Sequence, residues 1–258
     1  MLRLPIRQSS DEILFEASFE PTTSAVDKLT KQKDIGEGEI TTLRGKKNRV
    51  AIGVPYFENL ISRLVDEGYE IPHEIRHMSA VSDFHFVSLS CSFLPDKDCR
   101  FLWARFGVEL RAESISRDRL EEKPIAYDMF PSEVTSEVKY KRETIFAPEL
   151  KFNIGAIDAD VKNVDVRTQK ELIVYKPQIF AYGINTPKAI WDFKSTEEKG
   201  IWGNRRDLLI VVKSPRNSKV KGKFFLGAEV EFNLGKWIPI PLSKREDKVV
   251  NREYNLSE

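Results

Sequence analysis

An antiparallel β-sandwich-like fold, mainly β with one clear helix, is what this sequence predicts, and three observations predict it. Residues 81–112 hold two runs of alternating apolar and polar side chains, the period of two that a strand with one dry face requires. Segments of the same kind recur at short spacing, ending in an almost continuously apolar run at 207–212 and a cleanly alternating one at 223–232. The sequence lacks the strand-helix alternation of a parallel α/β fold.

In the first run Val87, Leu89, Cys91 and Phe93 alternate with Ser88, Ser90 and Ser92. In the second, Leu102, Ala104, Phe106, Val108, Leu110 and Ala112 share one face, while Arg105, Gly107, Glu109 and Arg111 share the other. A helix would scatter both sets around its circumference. The intervening Pro95, Asp96, Lys97, Asp98, Cys99 and Arg100 are turn chemistry, so the arms are expected to pair as a hairpin, with Cys91 opposite a residue near Ala104. Their large apolar side chains represent roughly 10 to 21 kcal/mol of gross burial, enough to seed a sheet once a second layer covers the face.

The other elements follow in order. Residues 1–50 read as irregular: 13–19 is a short strand or helical turn, and 31–47, with Gly36, Gly38 and Gly45 among many charges, is a loop. After a strand at 49–54, residues 56–67 are the clear helix, with Phe57, Leu60, Ile61 and Leu64 at helical spacing and Gly68 as the stop. Strands are expected at 124–130, 137–146, 150–156, 163–166, 171–184 and 189–194, with Pro177 marking a bulge or an edge. The run at 207–212 predicts a central strand buried on both faces. Residues 237–242, interrupted by Pro239 and Pro241, suit an edge, and 243–258 reads as a loose charged tail. The result is about ten strands in a single β-rich domain spanning 1–258.

Composition narrows the function classes. The 258 residues are 41% hydrophobic and 31% charged, the balance of an ordinary globular chain. With 41 basic side chains against 40 acidic ones, no global field draws nucleic acid or anionic membrane, so such binding needs a local patch. Two cysteines build no disulfide framework, and free thiols in a reducing compartment are expected. The first residues lack the apolar core of a signal peptide and no run reaches membrane-spanning length, so the expected setting is cytoplasmic, without a membrane partner.

Four groups of residues carry candidate chemistry. His73-Glu74-Ile75-Arg76-His77 fits H-E-x-x-H and resembles the zinc-metallopeptidase signature. The resemblance implies zinc held by His73 and His77, water activated by Glu74, and Asp83, six residues on, as third ligand. The sequence departs from that signature at Pro72, where the family's helix is already running, at charged Arg76, and at Ala80 in place of a glycine. Asp128 with Glu149 and Lys151 forms the aspartate and E-x-K set with which many nucleases hold Mg²⁺. Lys213, Arg216, Lys219, Lys221 and Lys223 fall between two strong strands and are expected to decorate a protruding anion-binding loop. Finally, Phe101, Trp103 and Phe225 fall on faces that read as wet, and Trp191, Phe193 and Trp202 flank a charged segment. Trp103, Trp191, Phe193 and Trp202 are thus candidate interface anchors.

The leading expectation is a non-catalytic cytoplasmic β-sandwich protein, needing no cofactor, that acts by protein contact as a subunit or adaptor of an assembly or as a homo-oligomer. One alternative is a metal-dependent hydrolase, using zinc at His73 and His77 or Mg²⁺ at Asp128, Glu149 and Lys151. The other is a nucleic-acid or anionic-ligand binder working through 213–223.

Overall fold

The computed structural model of the chain describes residues 2–5, 12–20, 26–27, 31, 36–113, 123–134, 145–146, 152–155, 178–195, 200–201, 203–233, 237–240 and 252–255. In chain order they form β1 (Leu2–Pro5), β2 (Ile13–Phe19), α1 (Glu37–Arg44), β3 (Asn48–Gly53), β4 (Tyr56–Asn59), α2 (Leu60–Asp66) and α3 (His73–Met78). Next come β5 (Ser82–Leu94), β6 (Cys99–Glu113), β7 (Ile125–Phe130), β8 (Glu133–Val134), β9 (Ile145–Phe146) and β10 (Phe152–Gly155). The last are β11 (Gln178–Tyr182), β12 (Lys188–Lys194), β13 (Gly203–Pro215), β14 (Lys219–Asn233), β15 (Trp237–Ile240) and β16 (Arg252–Asn255). The expected strand at 163–166 lies outside the described residues, as do parts of those at 137–146, 150–156, 171–184 and 237–242.

The chain is mainly β, as its alternation predicts, and most strands belong to two antiparallel sheets. One runs β2-β3-β5-β13-β7, with β4 also on β5; the other runs β15-β14-β6-β12-β11-β8, with β16 also on β14. A third, small sheet joins β1, β10 and β9, with β1 and β10 parallel. No helix among the described residues is long and apolar enough to cross a membrane.

β5 and β6 are both strands, but they do not pair as a hairpin. Cys91 of β5 stands opposite Ile52 and Arg206, and Ala104 of β6 opposite Phe193 and Ala228. The turn at 95–98, with Asp98 at φ 60°, carries the chain from one sheet to the other as an arch. The physical reason is burial: in an arch the apolar faces of the two arms meet and cover each other, whereas a hairpin would leave both on the same side of one sheet. β13 and β14 repeat the device through a turn at 216–218. β5 pairs with β13 from Ser82↔Pro215 to Phe93↔Gly203, and β6 with β14 from Cys99↔Phe232 to Glu113↔Lys219, so the two turns lie at opposite ends of the sandwich.

The core between the sheets takes Val87, Leu89, Cys91, Phe93, Leu208, Ile210 and Val212 from one side. From the other come Phe101, Phe106, Val108, Trp191, Phe193, Phe224 and Leu226. Phe106 is stacked between Trp191 and Phe224, with centroids 6.1 and 5.9 Å away. Phe93 meets Phe101 and Phe193 at 5.7 and 5.0 Å, both edge-on. Each fully buried ring contributes about 1.5 to 3 kcal/mol by leaving water. β13 is buried on both faces, as its apolar run predicts: Leu209 and Val211 point away from the main core and, with Phe84 and Phe86, pack under Leu60, Leu64 and Ile75 of α2 and α3.

Several local expectations are corrected. The helix expected over 56–67 begins only at Leu60, because Tyr56 to Asn59 pair with Ser88 to His85 of β5 and Asn59 caps the helix by accepting the Ser62 amide at 3.0 Å. Residues 37–44, expected within a loop, are a helix whose first turn is closed by Glu39 accepting the Gly36 amide at 3.1 Å and whose Leu43 is buried. The N-terminal portion is accordingly less irregular than its composition suggests, since β2 and β3 both join the six-stranded sheet. Part of the charged tail is β16, paired with β14. Phe101, expected on a wet face, is fully buried: the β6–β14 register shifts so that Trp103 faces Glu229 and Phe101 faces Val230, and the extra residue, Leu102, inverts the alternation beyond it.

Candidate functional site

The richest surface is the outer face of the seven-stranded sheet, and its residues are brought together by strand register. Phe180, Asp192, Arg105 and Gly227 stand in one row across β11, β12, β6 and β14. The neighbouring row is Tyr182, Ile190, Gly107 and Phe225, and on the other side lie Lys194, Trp103 and Glu229. Apart from the β11–β12 pairs, which are eight and twelve residues apart, cross-strand partners here are distant in sequence.

Arg105 is the centre of the face. Its Nε and Nη2 donate to the two Asp192 carboxylate oxygens at 2.6 and 2.7 Å, a bidentate pair that fixes the guanidinium plane. The Asp192 hydrogen bond raises the Arg105 pKa further above its ordinary value, against partial burial. The guanidinium carbon lies 5.4 Å from the Trp103 ring centre, and Lys194 Nζ lies 5.4 Å from that of Phe180. Phe225 and Trp103 lie over bare backbone: a Cβ on Gly107 would meet Phe225 Cζ at 2.1 Å, and one on Gly227 would meet Trp103 at 3.5 Å. Tyr182 is 47% exposed at the rim. Beyond it, Lys223 and Lys188 both flank Glu109, mixing charge signs along the row.

The interface anchors expected from sequence separate. Trp103 is on this face, covered by its neighbours to 6% exposure. Trp191 and Phe193 are corrected: both are fully enclosed in the inter-sheet core, where Trp191 Nε1 donates to the Pro131 carbonyl at 3.1 Å, so neither is displayed at a surface. Trp202 lies outside the described residues. Arg105, Asp192, Phe180 and Tyr182 escaped the sequence reading because alternation assigns a residue to a face and leaves its partner strand open; the signal was the mixed aromatic and charged character of the supposedly wet positions.

The zinc-like motif does fold as a helix, α3, and its two imidazoles meet with centroids 4.4 Å apart. Both rings and Glu74 are exposed. Asp83 is not with them: it lies on β5, where its Oδ2 accepts the Asn217 amide at 2.6 Å. The three-ligand arrangement is thus corrected to a two-histidine surface pair, and among the described residues no group of three His, Cys, Asp or Glu side chains gathers to hold a metal. Asp128 is buried on β7, with its Oδ1 accepting the Met129 amide at 2.8 Å, while Glu149 and Lys151 lie outside the described residues.

The basic loop is corrected too. Residues 213–223 are mostly strand around a tight turn, and the arch divides them between sheets. Lys213 shares the helix-covered face of β13 with Leu209 and Val211, whereas Lys219, Lys221 and Lys223 share the outer face of β14. Arg216 donates to the Ala80 carbonyl at 3.1 Å. Five cations divided in this way do not form one phosphate grip.

The fold and face define the chain as a two-sheet antiparallel β-sandwich protein with an aromatic and arginine surface. No family model and no curated protein sequence matches the chain. Among solved structures it is similar to Clostridium perfringens delta-toxin, at 10% identity over 81% of this chain and 83% of that one, with a TM-score of 0.30. It is likewise similar to a pore forming protein, at 10% identity over 81% of this chain and 85% of that one, again with a TM-score of 0.30. Superpositions that loose carry no function to this chain.

Proposed function

We propose that this chain is a non-catalytic protein that works by protein contact, as a subunit or adaptor of an assembly, with the outer face of the seven-stranded sheet as its contact surface. The observation that carries the reading is that face: Phe180, Tyr182, Trp103 and Phe225 surround Arg105, whose plane Asp192 fixes in advance. Aromatic rings and arginine are the side chains enriched where protein interfaces are fully desolvated, and holding them rigid in the free chain lowers the entropy lost on binding. Lys188, Lys194, Lys223, Glu109 and Glu229 at the margin match the polar rim of such a patch.

Sedimentation of the chain purified from cells tests the reading. The expected species is heavier than the 29.8 kDa of one chain. Replacing Phe180 and Tyr182 together by Ser is expected to return it to 29.8 kDa with an unchanged circular dichroism spectrum. A species of 29.8 kDa at every concentration, with no co-purifying subunit, would sink the proposal.

A further inference from the structure

The turn at 216–218 is held by the Ser218 amide and hydroxyl on the Pro215 carbonyl at 3.1 and 2.6 Å, by Arg216 on the Ala80 and Val81 carbonyls, and by one further bond that ends beside a histidine with an unused nitrogen. Asn217 sits in the left-handed region at φ 59°, which asparagine adopts more readily than other non-glycine residues. Its amide is held by Asp83 Oδ2 at 2.6 Å, while the Arg216 amide donates to the Val81 carbonyl at 3.1 Å. His85 follows Asp83 by two residues on the same face of β5, roughly 6.8 Å along the strand and within side-chain reach. That face looks into the sandwich, because His85 continues the row of Val87, Leu89, Cys91 and Phe93. Its Nε2 is buried without a hydrogen-bond partner among the described residues, and so is the hydroxyl of Ser214, directly opposite Asp83 on β13.

We propose that His85 is an acid-operated latch on the turn that joins β13 to β14. With His85 neutral, the imidazole rests between Val212 and Asn59, its cross-strand partners, and Asp83 is free to hold Asn217. Once protonated, the imidazolium needs an anion, and among the described residues Asp83 is the carboxylate within reach. Among the described residues the other groups packed around it are neutral: Asn59 of β4, whose oxygen already accepts the Ser62 amide, Val212 and Ser214 of β13, and Ala126 of β7. The inner face of the opposite sheet at this end presents Leu110, Ala112 and Val220. Lys213 faces the other side of β13, and Arg216 is exposed with its guanidinium on the Ala80 carbonyl. Turned inward, Asp83 bonds the imidazolium and accepts the idle Ser214 hydroxyl; the Asn217 amide loses its acceptor and the turn loses that one of its hydrogen bonds. The carboxylate thus has two discrete arrangements, and one proton chooses between them.

The direction of the titration agrees. Burial holds the His85 pKa below its ordinary 6.5, and Asp83 offsets only part of that. A base with a depressed folded-state pKa leaves the unfolded chain binding more protons, so the stability present above 6.5 is lost as the pH falls toward the folded value.

Hydrogen exchange of the full chain, corrected for intrinsic rates, tests the latch at about pH 7 and about pH 5. Protection of the Asn217 amide is expected to fall roughly tenfold or more on acidification. His85→Leu should keep that protection at both pH values, and Asp83→Ala should lack it at both. Equal acid loss in wild type and His85→Leu, or no loss in wild type, would overturn the proposal. Should His85→Leu not fold, His85→Gln takes its place, and the ring resonances of wild-type His85 supply the second readout: titration at the ordinary histidine value, with the Asn217 amide unmoved, also overturns it.

Discussion

Phe225 lies over Gly107 with its ring in the space where a side chain at position 107 would stand, at 2.1 Å from the would-be Cβ. Gly107→Ala is therefore expected to displace the ring and destabilise the chain by about 1 to 3 kcal/mol. Gly227 offers the contrast, since a Cβ there meets Trp103 at an ordinary 3.5 Å. Gly227→Ala should leave stability unchanged or raise it by up to about 1 kcal/mol, because glycine in a strand is entropically unfavourable. Urea unfolding of both variants checks the pair; a neutral Gly107→Ala beside a damaging Gly227→Ala would contradict the geometry of this face.

The Arg105–Asp192 bond predicts an asymmetry between its two deletions. The Asp192 side chain is 8% exposed and that of Arg105 is 40% exposed, so water can take over the guanidinium far better than the carboxylate. Asp192→Ala should cost about 1 kcal/mol and Arg105→Ala about 2 to 3 kcal/mol. Thermal unfolding of the single and double variants reads out both values, with the double variant less damaged than their sum.

Asp96 ties the 95–98 arch to the start of β3. Its Oδ2 accepts the Lys47 amide at 2.9 Å, its own amide donates to Asn48 Oδ1 at 3.0 Å, and Lys46 Nζ reaches the Lys97 carbonyl at 2.6 Å. The Lys47 amide chiefly, then the Lys97 amide and the charges of Lys46 and Arg49, hold the Asp96 carboxyl below its ordinary 3.8, against desolvation. The stability this provides is complete above 3.8 and is lost as the pH falls through the lower folded value. Asp96→Asn should flatten that part of the acid limb, measured as the urea midpoint at about pH 5 and about pH 2.5.

The two thiols should differ in reactivity. Cys91 is buried in the core, where burial pushes its pKa far up, and it should resist iodoacetamide until the chain unfolds. Cys99 is half-buried at the arch; burial pushes it up to about 11, moderated by Lys46 and the Asn48 amide. It should react slowly near neutrality and faster as the pH rises, which mass mapping of the modified peptides will show.

The sequence made the strands legible because apolar packing on one face writes a period of two into the chain, as at Val87 to Phe93, where Ser88 and Ser90 of the other face are buried too, and apolar packing on both faces writes the unbroken run at Leu208 to Val212. It left the pairing of β5 illegible, since a hairpin and an arch bury the same alternating side chains. Phe101 was misplaced for a related reason: a single extra residue, Leu102, inverts the phase, and its existence depends on β14, more than a hundred residues away. The helix of 56–67 was overextended because Tyr56 and Phe57 fit helical spacing as well as they fit β5. At the candidate surface Trp103 could be found from its face alone, whereas the Arg105–Asp192 bond needed the register of β6 on β12.

Carrying the chain across the sandwich at 95–98 divides the labour of folding in a particular way. Cut there, the protein becomes two complementary pieces: the first holds β2 to β5 and lacks the neighbour that β13 supplies, while the second holds β13 with one side bare. A backbone nick at that turn should therefore release nothing, and separately produced halves should reconstitute each other by zipping β5 onto β13.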